Sequence, residues 1–203
     1  MIKMRWYQGF ILTLMCLLLF GCSTPIRPTA APKPDQAWVE QQAKLSRLTH
    51  WQVSGVIGIV LNDQGGSANV SWQQNANGSY TIQFYEALGI GMTYLEGVPG
   101  KVVLISNKGK RYAATNAEIL MREQLGWSVP VEGLVYWIRG MPIPNAPYQS
   151  QLNQYGTLAM LVQQGWTVQY LSYQQVGDVI LPDKIKLQRH RLQVTLVIHR
   201  WNV

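Results

Sequence analysis

Short apolar runs with a period of two dominate the chain from Trp51 onward. Alternation of apolar and polar residues places every second side chain on one face of an extended strand. Such runs occur at residues 51–61, 70–72, 80–84, 92–95, 101–106, 111–114, 156–162, 166–173, 184–188 and 192–201. Most connections between them are too short for the dozen or so residues that a parallel crossover needs. The pattern predicts about ten strands in a bent antiparallel sheet, either a sandwich or a barrel.

Turn-forming residues separate these runs. Gly65-Gly66 predicts the first turn, and Asn77-Gly78 has the residues favoured in a two-residue hairpin loop. Gly97 and Pro99-Gly100 separate the next short strands, and three prolines within residues 142–147 predict a loop. The connections are therefore mostly hairpins.

Three segments have helical patterns instead. Asp35 is predicted to be the N-cap of a helix that extends to about His50. Asn116 can cap a short helix that ends at Gly126. Pro130 can begin another helix, because the apolar residues Val131, Leu134, Val135 and Ile138 follow it at helical spacing. The sheet is thus expected to carry one N-terminal helix and one short helical insert.

The composition describes a folded and unusually apolar chain. Hydrophobic residues make up 47% of the 203 residues and charged residues only 13%, against a typical charged share of about 25%. Tryptophan and tyrosine, at 8 and 10 residues, far outnumber the 3 phenylalanines, and rings with a polar handle suit wet cavity mouths and interfaces. A chain of this kind buries a sizeable core and is not disordered.

The formal net charge is +7, and several cations lie in the predicted C-terminal strands. They are Lys184, Lys186, Arg189, Arg191 and Arg200. A solvated positive face explains them, and a specific acidic partner or an anionic lipid surface is the alternative.

The N-terminus has the features of a signal peptide. Lys3 and Arg5 form a positive start, and an apolar run of 11 residues follows at 10–20. That run is too short to span a bilayer, which takes about 20 residues. Residues 1–21 are therefore predicted to be a signal peptide.

The end of this segment resembles a bacterial lipoprotein processing box. In Leu19-Phe20-Gly21-Cys22 the cysteine would be lipidated and become the mature N-terminus, whereas an ordinary secretory cleavage is the alternative. Ser23 stands where Asp commonly signals retention in the inner membrane, so an outer-membrane destination is expected. Residues 22–34 are rich in proline and predict a semi-rigid tether, which leaves residues 35–203 as a single folded domain.

No catalytic or cofactor motif occurs in the sequence. The histidines, His50, His190 and His199, lie outside any recognisable nucleophile or metal-binding motif, and no P-loop or G-x-G-x-x-G is present. We therefore predict no enzyme activity, no metal and no cofactor. Nucleic acid is an improbable partner outside the inner membrane.

Several short motifs occur in the order found in one family. The chain resembles the LolB family of outer-membrane lipoprotein receptors, with Ala87 where that family often has proline. The motifs are Cys22; Trp51-x-x-x-Gly55; Ala68-x-x-x-Trp72; Leu88-Gly89; the segment from Gly126 through Pro130 to Leu134, Trp137, Arg139 and Gly140; Gln164-Gly165-Trp166; Leu181-Pro182; and Trp201.

The resemblance implies an incomplete antiparallel β-barrel of about ten or eleven strands, with a hydrophobic cavity covered by a few short helices. Such a protein is a monomer on the periplasmic side of the outer membrane of a Gram-negative bacterium. It accepts acylated lipoproteins from the periplasmic carrier LolA, shelters their acyl chains and inserts them into the outer membrane. The alternatives are a lipid-anchored envelope enzyme and a structural tether lipoprotein.

The resemblance also implies roles for particular residues. Leu88, Gly89 and Ile90 match the projecting loop that delivers lipoproteins into the membrane, whereas a buried leucine at a hairpin is the simpler interpretation. Four tryptophans are candidates for core packing or the cavity wall and not for a catalytic role, because burial of their rings alone explains them. They are Trp51, Trp72, Trp137 and Trp166.

Overall fold

The computed structural model describes residues 34–85 and 92–203. The predicted signal peptide (1–21), Cys22 and nearly all of the tether lie outside the described residues, as do Leu88, Gly89 and Ile90. Eleven strands and three helices form within the described parts of the chain. In chain order they are α1 (Pro34–Arg47), β1 (Trp51–Leu61), β2 (Gln64–Gln74), β3 (Tyr80–Tyr85), β4 (Thr93–Val98), β5 (Lys101–Ile105), β6 (Arg111–Ala114), α2 (Ala117–Leu125), α3 (Val131–Trp137), β7 (Tyr148–Leu152), β8 (Leu158–Gln163), β9 (Trp166–Val176), β10 (Val179–Arg189) and β11 (Leu192–Asn202).

All eleven strands belong to one antiparallel sheet. Their order is β6-β5-β4-β3-β2-β1-β11-β10-β9-β8-β7, so the sheet consists of two meanders joined where β1 pairs with β11. Strands β6 and β7 end the order and do not pair with each other, which leaves the sheet open. The predicted mainly-β class and incomplete antiparallel barrel are confirmed.

One strand was not predicted. Residues 148–152 form β7, which pairs with β8 at the edge of the sheet. Its side chains are mostly exposed and polar, so its sequence lacks the apolar alternation that marks a half-buried strand. The predicted loop at 142–147 precedes it and is correct.

The predicted turn at Gly65-Gly66 is wrong. The chain turns at Asn62 and Asp63, whose φ angles are 51° and 64°, and both glycines pair with β1 as part of β2. Asn and Asp tolerate the left-handed region, and two such residues in succession give the twist that a tight hairpin needs.

The hairpin at Asn77-Gly78 is confirmed, although its loop has three residues rather than two. Asn75 N donates to Ser79 O at 2.9 Å, and Gly78 N donates to Asn75 O at 3.0 Å. Gly78 has φ 82°, and the Asn77 side chain accepts a hydrogen bond from Ser79 N at 3.0 Å. A three-residue loop with a left-handed glycine at its end is a common hairpin connection.

The N-terminal helix α1 begins at Pro34, so Asp35 lies in its first turn and the predicted N-cap is wrong. The helix also ends three residues before His50. Asp35 can still stabilise the helix, because an acidic side chain in the first turn is favourable beside the positive end of the helix dipole.

The caps of the second helix are confirmed. The Asn116 side chain accepts a hydrogen bond from Glu118 N at 2.7 Å, and Gly126 ends α2 with a left-handed φ of 79°. The next helix, α3, begins directly after Pro130. Both helices lie in the connection between β6 and β7, as the helical insert was predicted to do.

A buried glutamine holds the connection between α3 and β7. Gln163 is 1% exposed, and its side-chain oxygen accepts hydrogen bonds from Trp137 Nε1 at 2.9 Å and Ile143 N at 2.8 Å. Its amide nitrogen donates to Ile143 O at 3.0 Å. One buried side chain thereby satisfies polar groups of both the helix and the proline-rich loop.

Candidate functional site

An apolar cavity lies between the sheet and the helices. All fourteen residues that line it are hydrophobic, and they come from β1, β2, β3, β4, β10, β11, the two helices α2 and α3 and the segment between those helices. They are Ile57, Val70, Trp72, Ile82, Phe84, Leu95, Met121, Trp127, Val129, Val131, Leu134, Leu187, Val194 and Leu196.

The register of the sheet explains why these residues share one surface. Trp72 lies opposite Ile82 on β3, and Ile82 lies opposite Leu95 on β4. Ile57 lies opposite Leu196 across the pairing of β1 with β11. Residues that face each other directly on adjacent strands point to the same side of the sheet, so the period-two pattern produces a continuous apolar floor.

Helices and the segment between them cover this floor. Met121 comes from α2, Trp127 and Val129 come from the connecting segment, and Val131 and Leu134 come from α3. Each of these side chains is buried. The cover belongs to the long connection between β6 and β7, and Trp137 at the end of α3 is hydrogen-bonded to Gln163 and Tyr170 of the sheet.

The cavity is nearly filled by its own lining side chains. It contains about 460 Å³ of space, including solvent, but the centre of a water molecule can reach only about 30 Å³. That room suits a few water-sized groups, because a cavity needs roughly 10–15 Å³ for one such centre. A long apolar chain can enter only if the cover or the lining side chains move.

The four tryptophans singled out from the sequence form two pairs. Trp72 lines the cavity, and its ring centroid is 5.1 Å from that of Trp51, which in turn is 5.5 Å from Trp201. Trp137 and Trp166 form the other pair, with centroids 6.3 Å apart. Trp127 lines the cavity but was not predicted, since it follows α2 in a segment without regular periodicity.

A buried tyrosine extends the aromatic cluster at Trp72. The Tyr80 ring is 6.3 Å from that of Trp72, and it covers Gly97, where an added Cβ would lie 2.2 Å from Tyr80 Cζ. Burial raises the pKa of Tyr80, and the nearby Glu132 carboxylate raises it further. The phenol therefore stays neutral, and its ring packs against Trp72 without lining the cavity itself.

A buried arginine joins the ends of two helices near the cover. Arg139 is 6% exposed and donates to Leu45 O at 3.1 Å, Leu48 O at 2.7 Å and Val135 O at 2.9 Å. Burial lowers the pKa of Arg139 from its ordinary value. Leu45 and Leu48 lie at the C-terminal end of α1, where the free carbonyl groups favour a cation. Arg139 thus positions α1 against α3.

Within 34–85 and 92–203, no group of three His, Cys, Asp or Glu side chains is placed to hold a metal ion. None of the helices in those ranges is long and apolar enough to cross a membrane.

A similar fold occurs among solved structures. The crystal structure of a LolA superfamily protein from Nitrosomonas europaea aligns with a TM-score of 0.51, and the match covers 85% of this chain and 94% of that one. The two sequences are only 10% identical, so this likeness concerns the fold. An open antiparallel sheet with helices across one face is the architecture that they share.

Sequence comparison shows the family. The model of the family described as "Outer membrane lipoprotein LolB" matches residues 49–201. The outer-membrane lipoprotein LolB of Francisella tularensis subsp. novicida is 42% identical over 202 residues, or 98% of this chain and 96% of that protein. The protein of the same name from Stutzerimonas stutzeri is 36% identical over 201 residues, or 98% and 97% of the two chains. The chain belongs to the LolB family of outer-membrane lipoproteins, as its motifs predicted.

Proposed function

We propose that this protein takes acylated lipoproteins from the periplasmic carrier LolA, holds their acyl chains in the apolar cavity and inserts them into the outer membrane. The observation that carries the proposal is the lining of the cavity, which is hydrophobic at all fourteen positions. Residues 35–203 would form the acyl-chain-binding unit and act as a monomer. Binding without chemical turnover suffices for this role.

The energy of acyl-chain transfer explains why such a cavity is needed. Exposing a chain of about 14 methylenes to water costs on the order of 11 kcal/mol, at about 0.8 kcal/mol for each CH₂. A lipoprotein therefore needs continuous apolar shelter between carrier and membrane. The sequence has no nucleotide-binding motif, so we propose that transfer proceeds toward the site of higher affinity.

The cover has to open for this function, and the structure suggests which parts move. The connecting segment and α3 supply Trp127, Val129, Val131 and Leu134 to the cavity. Arg139 connects the end of α1 to the residues that follow α3. We propose that the cover moves away from the sheet when an acyl chain enters, while the strands keep their register.

Lipid attachment at Cys22 would keep the protein at the membrane. The processing box and the proline-rich stretch of residues 22–34 support this part of the proposal. We expect mass spectrometry of the mature N-terminus to find acyl groups on Cys22. A mature N-terminus without acyl groups would contradict the anchor.

We propose that Leu88, Gly89 and Ile90 deliver the lipoprotein into the outer membrane. The flanking strands support this assignment, because Phe84 lines the cavity and pairs with Thr93 across β3 and β4. The segment that joins these two strands therefore begins close to the proposed acyl-chain site. Its sequence combines apolar side chains with glycines.

Acyl-chain binding can be tested with a fluorescent fatty-acyl probe on the full chain carrying Cys22→Ala, which avoids the protein's own lipid. Burying ten methylenes contributes about 8 kcal/mol before ordering costs, so we expect affinity in the micromolar range or tighter. Val194→Phe should weaken binding at least tenfold, because Val194 is 1% exposed and lines the cavity. An acylated lipoprotein should displace the probe, and its unacylated form should not.

Val60→Phe is the matched control. Val60 is 41% exposed and is not among the residues that line the cavity, so the same change should leave probe binding unaltered. Melting temperatures separate blocked binding from unfolding, since overpacking a core costs roughly 1–3 kcal/mol. Equal binding by both variants would show that the probe lies elsewhere. No binding to the unsubstituted cavity at saturating probe would favour an enzyme or a tether.

A further inference from the structure

An open basic groove lies beside the apolar cavity. Arg189 and Arg191 contribute to it from the end of β10 and the turn that follows, and Arg122 contributes from α2. Glu118 is the one carboxylate among its lining residues. The basic groove contains about 1140 Å³ of space, including solvent, which is ample for a polar head group.

The arginines of the basic groove are available for a ligand. All three are exposed, and the ion pair found among the described residues is between Arg111 and Glu96, outside this groove. In the described parts of the chain, no carboxylate oxygen lies within 4.0 Å of the nitrogen atoms of these three guanidinium groups. Three such groups around one groove create a positive potential that favours an anion.

Two buried indoles form part of the wall of the same groove. Trp127 and Trp166 line it, and they are 8% and 2% exposed. The Nε1 atoms of both are buried and have no hydrogen-bond partner among the described residues. The Arg189 guanidinium lies 5.9 Å from the centroid of the Trp166 ring. Guanidinium groups only donate, so the three exposed arginines offer hydrogen-bond donors to a ligand rich in acceptors.

The basic groove lies next to the apolar cavity. Trp127 lines both. Along β10 and β11, Leu187 faces Val194 in the cavity, and the next pair on the same face is Arg189 with Leu192 in the groove. Two residues along a strand span about 7 Å. An apolar chain in the cavity could therefore carry a charged group that reaches the arginines.

We propose that the basic groove binds the head group of an anionic phospholipid whose acyl chain enters the cavity. This inference rests on the proposed function for the acyl chain and adds a second class of ligand to it. The acylated cysteine of a lipoprotein holds its chains through neutral ester and amide groups, so it does not account for three arginines. A phosphodiester bearing acyl chains has the negative charge and acceptor oxygens that guanidinium groups bind well.

Short-chain lipids distinguish this proposal from binding of free phosphate. Dihexanoylphosphatidylglycerol, dihexanoylphosphatidylcholine and inorganic phosphate would be titrated, below micelle formation, into the full chain carrying Cys22→Ala. We expect the anionic lipid to bind roughly tenfold or more tightly than the zwitterionic one at low salt, with the difference shrinking as salt is added. Inorganic phosphate should bind more weakly than the anionic lipid, because it has no chain to bury.

The double variant R189Q/R191Q should lose most of the preference for the anionic lipid. Arg122→Gln, which changes a residue of α2 instead, should lose a smaller part of it. The control K108Q/K110Q removes the same charge from the exposed turn between β5 and β6 and should keep the preference. All three variants should melt close to the unsubstituted chain, since the substituted side chains are exposed.

Each other result overturns the inference in a distinguishable way. Equal binding of both lipids to the unsubstituted chain removes the head-group site but leaves the acyl-chain cavity intact. If both lipids bind the unsubstituted chain equally and R189Q/R191Q loses transfer from LolA, the groove binds an acidic protein surface instead of a lipid. Phosphate binding as tight as the anionic lipid would show an anion site without a lipid. Failure of both lipids to bind would reject the proposed function as well.

Discussion

Leu88→Glu is expected to reduce delivery of lipoproteins into outer-membrane vesicles about a hundredfold, without preventing their uptake from LolA. A glutamate that enters the apolar boundary of a bilayer costs a few kcal/mol, and each 1.4 kcal/mol corresponds to a factor of ten. In the proposed function uptake depends on the cavity, so it should persist. A labelled lipoprotein, followed first from LolA to this protein and then into vesicles, measures the two steps separately.

Leu88→Met is the matched control, because it keeps an apolar side chain of similar size and should deliver normally. The melting temperature of Leu88→Glu should stay close to that of the unsubstituted chain. If Leu88→Glu unfolds, the leucine belongs to the core and its assignment to delivery is wrong. If it folds and delivers at the normal rate, the segment has no role in insertion.

Gly55→Ala is expected to destabilise the protein by roughly 3 kcal/mol or more, which would lower its melting temperature by about 6–12 °C. A Cβ at this position would lie 2.0 Å from the backbone oxygen of Val197, far inside van der Waals contact. The register of β1 against β11 shifts between Ser54 and Gly55, so the backbones approach closely there. Thermal and urea unfolding measure the loss.

Gly58→Ala provides the comparison within the same strand pair. There the added Cβ would lie 3.9 Å from Thr195 O, which is an ordinary contact. Its effect should stay within about 1 kcal/mol of zero, since alanine loses less backbone entropy than glycine on folding. Similar losses for the two variants would mean that the close approach at Val197 does not limit stability.

The strands could be predicted because their signal is local. A period of two is visible within a few residues. In β3 the apolar residues Tyr80, Ile82 and Phe84 are buried and the residues between them are partly exposed, as the alternation predicts. The pairing of β1 with β11 could not be found in this way, since it depends on contacts between distant segments. Strand β7 lacked the signal altogether, because an exposed edge strand needs no apolar face.

Turn residues were informative only where their conformational demand was unambiguous. Gly78 and Gly126 both adopt positive φ angles, as a hairpin loop and a helix end require. The pair Gly65-Gly66 indicated a turn but extends along β1 as part of a strand, whereas Asn62-Asp63 makes the turn. Glycine permits a turn without requiring one. The position of this turn was set instead by the neighbouring Asn and Asp, which tolerate positive φ.

The candidate site was harder to predict than the fold. Apolar residues in the strands indicated a buried face, but the sequence could not show which of them surround empty space and which pack solidly. Trp72 lines the cavity. Trp137 does not line it: its side chain is 0% exposed and donates a hydrogen bond to Gln163. Trp127 belongs to neither a helix nor a strand, so no periodicity could place it against the cavity.

The pairing of β1 with β11 makes folding depend on late synthesis. Paired residues such as Leu61 and Leu192 are roughly 130 positions apart, and such distant contacts form slowly because a long loop must close first. The chain is made from its N-terminus, so β1 waits with one edge unpaired until β11 has emerged. Val194 and Leu196 of β11 line the cavity. A partly made chain can therefore neither complete the sheet nor form the whole lining of the cavity.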